Sequence, residues 1–194
     1  MPDSPRHLIL ASASPYRREL LKRIVPEFEV CAAAIDESRH ADETPAELAR
    51  RLAHAKAATV SGSHPGALVI GSDQVAALGD QALGKPGNAA NAARQLAACS
   101  GQQVIFYTAV TVGGPDFAEQ HLDITTVTFR SLNATEIEHY LERDKPWDCA
   151  GSFRSEGLGA VLFESVSTQD PSAIVGLPLI WVAGSLRRAG WELL

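Results

Sequence analysis

The stretch LILASASPYRRELLKRI, from Leu8 to Ile24, commits the chain to mixing strands with helices. LILA is a short apolar run with the length of a buried strand. A small-residue turn follows, in which Ser14 can cap a helix and Pro15 fits its first position. Apolar residues then recur at Leu20, Leu21 and Ile24. Arg17 and Arg18 break the pattern, because they place cations in the first turn, where the helix dipole favours a carboxylate. An unanswered cation there costs roughly 0.3–1 kcal/mol.

An anion would answer it. A helix N-terminus already offers free backbone N–H groups and a partial positive charge. Arg17 or Arg18, with the hydroxyls of Ser12 and Ser14, would turn that terminus into a phosphate clamp. Adjacent helical side chains diverge by about 100°, so one arginine is expected to face the site. The competing reading pairs both arginines with Glu19 or Glu27 on the surface. The turn is not a P-loop, since it lacks G-x-x-x-x-G-K-[ST].

Further along, Val30–Ala34 reads as a strand, and Thr44 caps a helix from Pro45 to about Val60. Ala67–Leu78 reads as a strand that turns at Gly79-Asp80 and returns through Ala82–Leu83. Asn88 caps an alanine-rich helix that ends near Cys99. Val104–Val112 and His121–Phe129 read as strands, and Asn133 with Glu136 as a capping box for a helix ending near Arg143. CAGSFRSEGLGA is a glycine-rich loop, Val161–Val166 a strand, and a last helix runs from about Pro178 to Arg188. The expected fold is therefore α/β with a mixed sheet flanked by helices, in one domain spanning 1–194. Strand order does not follow from the pattern.

Several functions are disfavoured. The longest apolar runs, Ala67–Ile70 and Leu177–Ala183, fall well short of the ~20 residues that cross a bilayer. MPDSPRH lacks the charged-then-apolar pattern of a signal peptide. Cys31, Cys99 and Cys149 stand far apart with no metal spacing, which suits a reducing cytoplasm. A net charge of -6 argues against nucleic-acid binding, although it leaves room for a local basic pocket. The six histidines form no zinc or triad pattern, and G-x-S-x-G is absent.

Other residues stand out singly. Asp73 interrupts the apolar run IGSDQVAAL, where a buried carboxylate needs a partner or a metal. It is a candidate general base for water or a magnesium ligand beside phosphates, or else it lies on a polar face of its strand. Lys85, in LGKP, is either a fixed point charge for phosphate or a solvated turn lysine. Asp36 and Glu37 can hold a hard cation, with Lys56 reaching the same pocket, unless IDESRHADETP is only a solvated acidic loop. Glu156 can accept two hydrogen bonds from a flat base edge, or be an exposed loop glutamate.

Taken in order, ASASPYRRELL, IDES, ETPAELARRLAHAKA, IGSDQV, LGKP, SGQQVIFYTAV, CAGSFRSEGLGA and VGLPL resemble the Maf family of nucleoside triphosphate pyrophosphatases over nearly the whole chain. The resemblance implies an elongated, two-lobed Maf/ITPase-like fold with a central cleft, able to form a homodimer. It implies hydrolysis between the α- and β-phosphates of a nucleoside triphosphate, with no nucleic-acid or membrane partner. The Asp73-Gln74 pair resembles the 7-methyl-GTP branch, whereas the dTTP and UTP branch carries Asp-Thr. Tyr16 and Glu156 match that branch's other markers, although tryptophan is usual at the Tyr16 position. The implied roles are Asp73 as base, Ser12, Arg17, Lys56 and Lys85 as phosphate ligands, and Tyr16, Gln74 and Glu156 as base-reading residues. Glu37 and Asp73 would share Mg²⁺ or Mn²⁺. The alternatives are the same reaction on dTTP, UTP or other modified nucleotides, and a nucleotide-binding regulator of septum formation.

Overall fold

In a computed structural model describing residues 7–194, the opening unit forms as its sequence predicts. The strand β1 is Leu8–Ala11 and the helix α1 is Pro15–Lys22, with Ser14 accepting a hydrogen bond from the Arg17 N–H. Most of MPDSPRH lies outside the described residues. The strand β2 is only Glu29–Val30, shorter than expected. Its partner β1 ends at Ala11, so residues 31–34 have no strand left to pair with after Cys31 N–H reaches Leu10 O. Pro45–Ser63 form α2, whose capping box joins Thr44 and Glu47.

The long strand β3 (Leu68–Leu78) turns into β4 (Gln81–Leu83), and α3 (Ala89–Cys99) follows. The strands β5 (Gln103–Gly114) and β6 (Phe117–Phe129) make the longest hairpin, before α4 (Ala134–Asp144). The glycine-rich stretch holds two 3-10 turns, Ala150–Ser152 and Leu158–Leu162, so β7 starts at Phe163 and runs to Ser167. The last helix, α5, is Leu179–Arg188. Among the described residues no helix is long and apolar enough to cross a membrane.

The described strands form one mixed sheet in the order β2-β1-β3-β5-β6-β7, with β4 also on β3. Only the β1 pairings, with β2 and β3, are parallel. Side chains of β3 alternate between two faces. Val69 and Val75 face α2. On the other face, α1 and α5 cover Leu68 and Ile70, while α3 and α4 cover Ala76 and Phe106. Between those two apolar patches lie the polar residues Ser72, Gln74 and Thr108.

α2 lies so close to the sheet that a Cβ on Gly71 would sit 2.3 Å from the Ala53 carbonyl oxygen and 2.6 Å from the Ala57 nitrogen. Both are helix backbone atoms and cannot rotate away. Gly71→Ala is expected to destabilise the fold by about 3 kcal/mol, as overpacking does. Urea unfolding would show a lower midpoint at an unchanged slope.

Candidate active site

The chain crosses from β1 through α1 to β2 on one side, then through α2 to β3 on the other. Such a switch point opens a crevice at the carboxyl end of the strands. Here β1 covers the β3 edge only as far as Gly71, and β4 covers it again from Ala76. The bare edge at Ser72–Val75 faces a cleft of about 520 Å³.

Arg17 turns into this cleft and Arg18 turns out, 3.4 Å from Glu19. The Arg17 Nε donates to Gly176 O at 2.9 Å and its NH1 to Ser12 Oγ at 3.2 Å. Desolvation draws the Arg17 guanidinium below its usual pKa, while Asp73 and Glu37 push it back up. Asp73 is 7% exposed, and its Oδ1 lies 2.6 Å from Lys56 Nζ. The same ammonium lies 2.7 Å from Glu37 Oε1. Burial pushes the Glu37 carboxyl up, but Lys56, helped by Lys85 and Arg17, outweighs this and holds it below the usual range. Lys85 lines the same cleft from the turn after β4. Asp36 does not join it. It accepts the Ser38 N–H at 2.9 Å on the exposed loop, so the expected Asp36–Glu37 pair is split.

The loop carrying Glu37 is pinned by Arg51, which donates to Ser38 O at 2.8 Å and grips Glu43 at 2.6 and 3.0 Å. The Arg51 hydrogen bond pulls the Glu43 carboxyl down to about 2. The unfolded carboxyl binds its proton more readily, so the pair's contribution is complete above about pH 4.5 and is lost as pH falls toward 2. Unfolding midpoints of the wild type and Glu43→Gln should therefore differ by a constant amount above pH 4.5 and converge below it.

A second group of side chains lies at the other end of the same helix start. The Tyr16 hydroxyl lies 3.5 Å from Asp148 Oδ2 and 3.9 Å from Cys149 Sγ. Burial, then Cys149 and Asp148, push the Tyr16 phenol up to about 12. Burial and Asp148 likewise push the Cys149 thiol up to about 12, which suits no nucleophile. Arg154 also lines the cleft and reaches Asp144 at 3.4 Å. Glu156 is exposed at the cleft edge and accepts from Ser155 Oγ at 3.2 Å. Its loop is anchored by Phe153, which packs edge-on to Phe106, Phe129 and Phe163.

Gln74 lines the cleft but does not fix Asp73, its neighbour on the opposite face of β3. Its Nε2 donates to Thr108 Oγ1 and Ala173 O, both at 2.9 Å, and to Ile174 O at 3.1 Å. The side-chain carbonyl makes no hydrogen bond among the described residues and is free to accept one. Ala173 and Ile174 belong to a strap, residues 170–178, of which sequence reasoning singled out only VGLPL and gave it no role. Its Gly176 carbonyl also receives the Ser72 hydroxyl at 3.0 Å. Asp170 ties the strap to the start of α5 by accepting Ser172 Oγ and Ile180 N–H, both at 2.6 Å.

Every base-reading, phosphate and catalytic candidate thus borders one cleft. Among the described residues, no group of three or more His, Cys, Asp or Glu is placed to hold a metal. Glu37 and Asp73 do converge on one point, now spanned by the Lys56 ammonium. A two-carboxylate set fits Mg²⁺, which takes its other ligands from water and substrate phosphates.

The sequence model of the Maf-like protein family matches residues 7–189. A "7-methyl-GTP pyrophosphatase" of Xanthomonas oryzae pv. oryzae is 53% identical over 186 residues, which cover 96% of this chain and 98% of that one. Another so named, from Albidiferax ferrireducens, is 52% identical over 191 residues, covering 97% and 96%. The Staphylococcus aureus Ham1 protein shares the fold, with a TM-score of 0.51 at 15% identity over 92% of this chain and 99% of that chain.

Proposed function

This chain belongs to the Maf family, and from that premise we propose that it hydrolyses 7-methyl-GTP to 7-methyl-GMP and pyrophosphate. One observation carries the chemistry: the Asp73 carboxylate is held by Lys56 in a cleft shared with Arg17 and Lys85. Hydrolysis of a triphosphate spreads negative charge over the phosphoryl oxygens, which those cations stabilise. Lys56 engages Oδ1 of Asp73, and Oδ2 makes no hydrogen bond among the described residues. That oxygen accepts the proton from water attacking the α-phosphorus, and pyrophosphate leaves. A divalent cation, Mg²⁺ or Mn²⁺, would be held by Glu37 and Asp73 and would supply further neutralisation of phosphate charge. Tyr16, Gln74 and Glu156 read the base: an aromatic face for its positive charge, and acceptors for its polar edges. The free thiols of Cys31, Cys99 and Cys149 support a cytoplasmic setting.

The test is pyrophosphate release with Mg²⁺ from 7-methyl-GTP, GTP, dTTP, UTP, CTP and ITP. 7-Methyl-GTP is expected to turn over with the highest kcat/KM, and EDTA to abolish release. Preference for dTTP or UTP would overturn the base assignment while sparing Asp73. Tight binding without turnover would instead favour a nucleotide-binding regulator.

A further inference from the structure

Neutral guanine and its N7-methylated form have nearly the same shape and the same acceptor-seeking N1 and N2 groups. They differ by a methyl group and a delocalised positive charge. An enzyme that prefers the methylated base must therefore read the methyl group, the charge or both, and a carboxylate near the base is one way to read the charge. Glu156 suits the N1 and N2 edge of either base. Tyr16 offers a face that attracts a cation, but at an exposed site such contacts are modest.

Asp148 is a second carboxylate on this side of the cleft, with no sequence pattern around it to single it out. It is exposed, so its own burial does not explain its place. Its two oxygens lie 3.5 Å from the Tyr16 hydroxyl and 3.6 Å from Cys149 Sγ. The nearby cation is Arg154, which pairs with Asp144 at 3.4 Å and also acts on the Tyr16 hydroxyl. Of the cations on the phosphate side, Arg17 is held by Gly176 and Ser12, and Lys56 by Asp73 and Glu37. Asp148 and Arg154 thus act on the Tyr16 hydroxyl with opposite sign, the aspartate more strongly. A negative charge at the hydroxyl end of a phenol makes its ring face more attractive to a cation.

We propose that Asp148 is a specificity residue of this cleft, selecting a positively charged, N7-alkylated purine over the neutral one through the Tyr16 ring. This rests on the 7-methyl-GTP reading given above.

The measurement is kcat and KM of the full chain for 7-methyl-GTP and for GTP, in the wild type, Asp148→Asn and Asp148→Lys. Asp148→Asn should lower the ratio of kcat/KM for 7-methyl-GTP over GTP by about two- to sixfold, the size of an exposed cation–π contact. Asp148→Lys should lower it further. Both changes should appear in KM, because Asp148 does not touch the reacting phosphorus. High salt should shrink the wild-type ratio toward that of Asp148→Asn. A ratio that stays constant in both variants overturns the proposal, as does an equal loss for both substrates, which would mark a structural role. If the wild type itself shows no preference for 7-methyl-GTP, the base assignment under Proposed function fails first and takes this proposal with it. A wild-type preference that is undiminished in Asp148→Lys sinks this proposal alone.

Discussion

Asp73→Asn is expected to lower pyrophosphate release by about 10²–10⁴-fold, the usual worth of a positioned general base. The amide keeps the shape of the carboxylate but cannot take a proton from water. The loss should fall on kcat, with nucleotide binding retained in calorimetry, since Arg17, Lys56 and Lys85 still face the phosphates. The fold should survive, because Lys56 keeps Glu37 as its partner at 2.7 Å. A variant within tenfold of wild-type kcat would remove Asp73 from the role of base.

Lys56→Ala is expected to be worse for stability than Asp73→Asn, although it removes the other half of the same pair. Both side chains are about nine-tenths buried, at 9% and 10% exposure. Removing the lysine strands the Asp73 carboxylate in a site with no other hydrogen-bond donor to it among the described residues. Breaking a buried pair from one side costs about 3–5 kcal/mol. Glu37 is more exposed and recovers part of its loss from water. The double variant Lys56→Ala/Asp73→Asn should therefore be more stable than Lys56→Ala alone in urea unfolding. Equal stability of the two would mean that the stranded charge is not what the lysine prevents.

The contrast between these residues shows what the sequence can disclose. The start of α1 was readable because its signals are local: Ser14 caps, Pro15 begins, and Arg17 sits where a cation is out of place. Both capping boxes, at Thr44 and Asn133, were readable for the same reason. Asp73 and Lys85 stood out by contrast with their apolar or turn surroundings. The partner of Gln74 was not readable, because Ala173 and Ile174 lie 99 and 100 residues away and bond through their backbone. The end of β2 depended on where β1 stops, and strand order depended on crossovers that leave no local mark. Asp148 looks in sequence like any solvated loop aspartate, and only its distance to Tyr16 distinguishes it.

The strap at 170–178 bears on how this cleft tolerates change. From the strap, the atoms that aim Arg17 and Gln74 are the carbonyl oxygens of Gly176, Ala173 and Ile174. Every amino acid carries that oxygen, so no single substitution within the strap can delete the contact as replacing a side chain would. Mutation can only bend the path of the backbone. That concentrates the fragility at Gly176, whose φ of 120° suits no side chain and where a Cβ would lie 3.3 Å from the Arg17 Nε. Drift at Ala173, Ile174 and Val175 leaves the arginine aimed, whereas one added methyl group at Gly176, or loss of the Asp170 carboxylate that ties the strap down, does not.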